Sequence, residues 1–85
     1  MSLTVLYFAR LRETLGMAQE QIALPTQAPS VAVLLDILRE RGGVWQATLA
    51  APQAYRVAVN QDMAELTTVL QDGDEVAIFP PVTGG

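Results

Sequence analysis

The sequence predicts an α+β domain: a mixed sheet of about five short strands, one main helix packed on one face, and an extended tail at the C-terminal end. Three observations predict it. LTVLYF at 3–8 is β-branched and aromatic, the composition of a buried strand. At mid-chain Val31, Leu34, Leu35 and Leu38 form a wide apolar helical stripe that requires a sheet to cover it. Near the end, EVAIF at 75–79 runs straight into Pro80-Pro81, where sheet pairing must stop because neither proline offers an N–H.

The elements follow in order. ARLRETLG at 9–16 sets Leu11 and Leu15 one turn apart before Gly16, which predicts one or two helical turns and a stop. Residues 19–24 read as a second strand, ended by Pro25, and the short connection suits an antiparallel hairpin. Ser30 is a strong N-cap and Gly42-Gly43 supplies a stop, so the main helix is predicted over 31–41. Asp36, Arg39 and Glu40 fall on its solvent side. Residues 44–51 predict a further helical turn, with Trp45 at the core or its rim. Residues 55–59 alternate, with Tyr55, Val57 and Val59 on one face and Arg56 and Ala58 on the other. Asn60-Gln61-Asp62 predicts a turn, since Asn tolerates the left-handed region, and a short strand is expected within 65–70. Asp72-Gly73-Asp74 predicts a second turn before the last strand.

A hairpin that precedes the helix leaves the first and last strands free to pair at the centre of the sheet. That arrangement is the β-grasp, or ubiquitin-like, fold. A ferredoxin-like sandwich needs a second full helix between the later strands, and the interval from Asn60 to Asp74 is too short to hold one. The chain therefore divides into a folded body, residues 1–79, and a tail, residues 80–85.

Composition narrows the function classes. There is no Cys and no His, which removes disulfides, thiolate nucleophiles, the commonest general base and the commonest metal ligand. No loop spaces carboxylates for a metal, so no metal site and no self-contained catalysis are expected. A net charge of −4 argues against a nucleic-acid partner held through phosphates. No apolar run approaches the roughly 18 residues of a membrane span, and the first residues lack the basic start of a signal peptide, so a cytoplasmic protein is expected. All five cations are Arg and none is Lys. An Arg-favouring composition accounts for that, and so does avoidance of amines by a protein that carries an activated carboxyl. Arg10 and Arg12 read as surface charge, as does the Asp72, Asp74 and Glu75 group, unless either docks an oppositely charged partner.

The tail FPPVTGG at 79–85 is stiff first and bare last. Consecutive prolines favour an extended conformation, so residues 80–85 reach roughly 19 Å at about 3.1 Å per residue. Gly84 and Gly85 have no side chains and can pass a narrow channel. A chance Gly-Gly end has odds of about 1 in 200. The α-carboxylate of Gly85, with a reference pKa near 3.5, is a poor electrophile at neutral pH. Activation with ATP would turn it into an acyl-adenylate that a sulfur nucleophile can attack. Phe79, at the root of the tail, is either the core end of a strand or an anchor for a partner.

DGDEVAIFPPVTGG at 72–85, LYFARLRETLG at 6–16, the helix after Ser30 and VAVNQD at 57–62 together resemble the small-subunit family of molybdopterin synthase, a sulfur-carrier branch of the ubiquitin-like proteins. The resemblance spans essentially the whole chain, with no departure in the tail. It implies that Gly85 is adenylated by a dedicated ATP-dependent activating enzyme and converted to a thiocarboxylate with sulfur from a donor protein. It also implies that residues 80–85 enter the active site of the large subunit, where sulfur passes to a cyclic pterin phosphate to build the dithiolene of molybdopterin. On this reading Gly85 carries the sulfur, Gly84 gives clearance, Val82 and Thr83 touch the channel wall, and Pro80 and Pro81 aim the tail. A heterotetramer of two small and two large subunits is implied, with no cofactor bound by the small subunit itself. Carriers for thiamine thiazole synthesis share the fold and the Gly-Gly end, and ubiquitin-like protein modifiers form the competing class.

Overall fold

The computed structural model describes residues 1–24, 29–50 and 55–81. Its strands form a five-stranded mixed sheet in which β1 (Ser2–Tyr7) and β5 (Glu75–Phe79) pair in parallel at the centre. Strand β2 (Gln19–Ala23) lies antiparallel to β1, with Leu3 opposite Ile22. On the other side β3 (Arg56–Val59) lies antiparallel to β5, and β4 (Asp62–Met63) closes the edge. The order is β2-β1-β5-β3-β4. The β-grasp topology predicted from the order of elements is the one observed.

Alternation decides which side of the sheet is covered. Leu3, Val5 and Tyr7 of β1 and Val76 and Ile78 of β5 point to one side and are buried. They share a single apolar cluster with Val31, Leu34, Leu35 and Leu38 of α2 (Val31–Arg39), each of which is fully inaccessible. Burying one such side chain stabilises the fold by about 1.5–3 kcal/mol relative to leaving it exposed. Helix α1 (Ala9–Leu15) adds Leu11 and Leu15 to this core, and Gly16, at φ 78°, closes it with an N–H donated to the Arg12 carbonyl. Only glycine adopts that left-handed conformation without strain.

The start of α2 explains a departure from the predicted strand within 65–70. Four N–H groups at a helix start lack partners inside the helix. Here Ser30 Oγ accepts from the Val33 N–H at 3.3 Å, and the Thr68 and Leu66 carbonyls accept from Val31 and Ala32 at 2.9 and 3.0 Å. The Leu66 and Thr68 carbonyls are committed to capping a helix, so the segment makes a single bridge, Val69 with Ser30, and not a strand. The fourth strand lies earlier, at Asp62–Met63. Asn60 and Gln61 both adopt positive φ, 50° and 73°, in a two-residue hairpin turn, so Asp62 is already paired with Val59.

Two further boundaries differ from prediction. Helix α2 ends at Arg39, two residues early, with Glu40 as its cap. Gly42 and Gly43 then act as a joint: both have positive φ, and Gly42 caps the start of α3 (Gly43–Leu49). The predicted turn at 44–51 is thus a seven-residue helix, its residue 51 lying outside the described residues, as does Pro25 beyond β2. Ala58, predicted to face away from the core, is nonetheless buried, flanked across the sheet by Ala77 and Met63.

Trp45 is a rim residue. Its ring meets Tyr7 edge-on at 5.5 Å, and the Arg41 guanidinium lies over it, 4.4 Å from the centroid. Arg41 also grips both oxygens of Glu20 at 2.8 Å, and Glu20 Oε2 accepts the Tyr7 hydroxyl at 2.7 Å. The Arg41 hydrogen bonds hold the Glu20 carboxyl below the usual carboxylate range, while burial and then the bond to Glu20 push the Tyr7 hydroxyl well above its ordinary value. This cluster ties the end of α2 to the N-terminal hairpin. No helix among the described residues is long and apolar enough to cross a membrane.

Candidate functional site

The site is the end of the sheet from which the tail departs. Strand β5 is central, held by β1 on one side and β3 on the other. Its Val76 and Ile78 anchor it in the core, while Glu75, Ala77 and Phe79 face the uncovered side and are half-buried. The Phe8 N–H still donates to the Ile78 carbonyl at 3.2 Å. Beyond Phe79, Pro80 and Pro81 are half-buried and carry no strand pairing. Val82, Thr83, Gly84 and Gly85 lie outside the described residues.

Phe79 therefore does not end in the core: it sits on the uncovered face. The pairing register places a row across that face, Gln19, Leu6, Ala77, Ala58 and Met63. Leu6 stands beside Ala77 and Tyr7 beside Ile78, so the next step of the alternation brings Phe8 to the same side, next to Phe79. Phe8 is 44% exposed and Met63 65% exposed. Arg56 is the register partner of Phe79 on the adjoining strand and is exposed. Together Leu6, Phe8, Met63, Ala77 and Phe79 make an apolar surface that adjoins the tail root. Patches of this kind mark contact sites on soluble chains.

Sequence reasoning missed two of these residues. Phe8 reads as the last member of a buried strand, yet the chain turns immediately after it, with Ala9 at φ 53°, and the aromatic ring is left outside. Met63 falls in the interval assigned to a loop. Strict alternation, Tyr7 in and Phe8 out, was the available signal for the first. No comparable signal marks Met63.

The charges are distributed unevenly along the sheet. Arg56 and the α1 residues Arg10 and Arg12 lie at the tail end, all exposed, with Glu13 on α1 and Glu65 near Arg56 as acidic neighbours. At the opposite end Asp72 Oδ1 accepts from the Ser2 N–H at 2.7 Å. Asp74 accepts from Asn60 Nδ2 at 2.9 Å and from the Gln71 N–H at 2.8 Å. These two aspartates hold turns together, which gives them a role without any docking partner. Among the described residues no group of three or more His, Cys, Asp or Glu side chains is placed to hold a metal ion.

Known proteins share this architecture over the whole chain. A family model described as the ThiS family matches residues 5–85. The molybdopterin synthase sulfur carrier subunit of Haemophilus influenzae is 36% identical over 83 residues, covering 98% of this chain and 99% of that one. SAMP1 from Haloferax volcanii has a TM-score of 0.83 at 27% identity, with both chains covered completely. A chain from the complex of subunits 1 and 2 of the molybdopterin-converting factor of Helicobacter pylori has a TM-score of 0.70 at 26% identity, again with complete coverage of both. With the strand order, the diproline exit and the sequence match in agreement, this chain belongs to the ThiS family.

Proposed function

We propose that this chain is the sulfur-carrying subunit of a molybdopterin synthase, with the carboxyl of Gly85 as the working group. The observation that carries the reading is the tail root: the central strand delivers Pro80-Pro81 from the margin of an apolar face formed around Phe8 and Phe79. The likeness to named sulfur carrier subunits over nearly the full chain supports it.

The chemistry follows from the terminus. An ATP-dependent activating enzyme converts the Gly85 carboxylate to an acyl-adenylate, releasing pyrophosphate. A sulfide-level sulfur nucleophile supplied by a donor protein then forms the acyl C–S bond and displaces AMP, leaving a thiocarboxylate. The body, residues 1–79, docks through the apolar face on a large subunit, and residues 80–85 thread its active site. A thiocarboxylate is anionic, so the channel that receives it has to offer positive charge. There the sulfur is passed to a cyclic pterin phosphate as part of dithiolene formation. Pro80 and Pro81 aim the tail, Val82 and Thr83 contact the channel wall, and Gly84 leaves clearance. The relative from Helicobacter pylori was solved as a complex of the two subunits, which supports a large-subunit partner. A heterotetramer and a cytoplasmic setting belong to the same proposal, with ATP used by the activating enzyme and no cofactor held by this chain.

Deleting Gly85 tests the reading. The truncated chain is expected to fold normally and to abolish molybdenum cofactor synthesis in a complementation assay; unchanged synthesis would refute it. One observation favours a second reading as a protein modifier: the neighbour with the TM-score of 0.83 is SAMP1, described as small archaeal modifier protein 1. Covalent higher-mass forms of the tagged chain in cell extract would support that reading.

A further inference from the structure

We infer that this chain offers no side-chain amine, thiol or imidazole to its own activated carboxyl, and that the lack of lysine is what keeps loaded copies from acylating one another. The inference rests on the function proposed above and concerns where the acyl group can go. Breaking the Gly85 carbonyl–phosphate bond releases AMP with its electron pair. An amine acceptor would form the new C–N bond and lose a proton to water. Each candidate acceptor on this chain is missing, occupied or left without a base to activate it.

No Lys, Cys or His occurs among the 85 residues, which removes the three side chains that most readily take an acyl group near neutral pH. Lysine matters even though its ammonium, with a pKa near 10.4, is only about one part in 2,500 unprotonated at pH 7. A tail tethered beside it would supply an effective concentration on the order of millimolar. The five cations are guanidiniums, which stay protonated and are not nucleophiles. Arg39 and Arg41 are held further in that state by hydrogen bonds to Asp36 and Glu20. Both tyrosine hydroxyls are also engaged. Tyr7 donates to Glu20 from inside the core, and Tyr55, likewise buried, donates to the Leu49 carbonyl at 3.3 Å. Aliphatic hydroxyls remain, but with no histidine the chain lacks the usual base to activate them.

The Met1 amine is hydrogen-bonded and, within one copy, also excluded by position. It donates to the Leu24 carbonyl at 3.3 Å at the start of β1. Because β1 and β5 run parallel, that end of the sheet lies a full strand away from Pro80, about 17–20 Å for six residues. The tail reaches roughly 19 Å only when fully extended. To reach Met1 it would have to double back along its own body.

Two consequences follow. As a carrier, the loaded chain waits for an incoming sulfur nucleophile without being consumed by side reactions with its own copies. As a modifier, it could not build lysine-linked chains of itself. The test uses the full chain with its activating enzyme and ATP, in the absence of a sulfur donor. Adenylate formation is read by pyrophosphate release, and covalent products by denaturing gel and intact mass. The wild-type chain is expected to form the adenylate and no dimer, ladder or cyclic product. Arg10→Lys and Arg12→Lys, exposed on α1 and unchanged in charge, are expected to yield copy-to-copy adducts that survive thiol treatment. Adducts of the wild-type chain would overturn the inference. Lysine variants that form adenylate yet stay free of adducts would also overturn it, because shielding by the enzyme would then be the cause. Absence of adenylate in all three chains would instead sink the proposed function, and the inference with it.

Discussion

The two faces of one sheet divide the labour of this molecule. Strands β1 and β5 contribute to both. Leu3, Val5, Tyr7, Val76 and Ile78 face the helices and are all buried, whereas Leu6, Ala77 and Phe79, one residue out of phase, face away and stay partly open. Residue type separates the faces only in part: the open one also carries Thr4 and Glu75, but Leu6, Ala77 and Phe79 are as apolar as the covered set. What separates them is cover: α2 supplies a complete apolar stripe to the first face, and no element among the described residues lies over the second. The lesson is that an uncovered apolar face beside a chain exit can be a working surface, kept at some cost in solubility.

Substitutions on either face can break or sharpen that contrast. The largest effect is expected from the covered side. Leu34→Ala should lower stability by about 2–5 kcal/mol in urea unfolding, while the folded fraction binds a large subunit normally. On the open side the signs reverse. Phe79→Ala and Phe8→Ala should weaken large-subunit binding by about 2 kcal/mol or more, as aromatic anchors at interface centres do, with stability changed by less than Leu34→Ala; calorimetric titration reads both variants. If Phe79→Ala unfolds the chain instead, the face belongs to the core and the contrast fails.

A smaller loss, about 1–2 kcal/mol, is expected for Asn60→Ala. Asn60 holds positive φ, donates to Asp74 and accepts from the Glu75 N–H, so alanine brings both strain and unpaired groups. Thermal unfolding measures it. The smallest effect concerns Glu20. Its folded carboxyl titrates below the ordinary range, so the Arg41 pair stabilises at neutral pH, and that contribution fades as pH falls below about 4 through the folded value. Glu20→Gln should cost about 1 kcal/mol or less at pH 7 and flatten the acid limb of the stability profile. An unchanged acid limb would mean that other carboxylates dominate it.

How far the sequence was legible depended on how local the cause was. The Ser30 cap, the stripe from Val31 to Leu38, Gly16 and the Phe79-Pro80 strand end are set by neighbouring residues, and each is found where it was read. Strand β4 was misplaced because its turn uses Gln61 in the left-handed region, a residue with no special preference for it, and because the Leu66 and Thr68 carbonyls cap a helix some 35 residues away in sequence. The end of α2 shifted for a related reason: Gly42-Gly43 starts a second helix as well as stopping the first. Phe8 was read as buried because period-two alternation gives the two sides of a strand, not which of them a neighbour will cover. The roles proposed for residues 82–85 were legible through chemistry and resemblance, since they rest on what a bare Gly-Gly carboxyl can do rather than on packing.

The most direct test is the intact mass of the full chain after incubation with its activating enzyme, ATP and a sulfur donor, followed by fragmentation. The proposed function predicts one oxygen exchanged for sulfur, located at Gly85. A mass left unchanged while AMP is released, or sulfur found anywhere else in the chain, would contradict it.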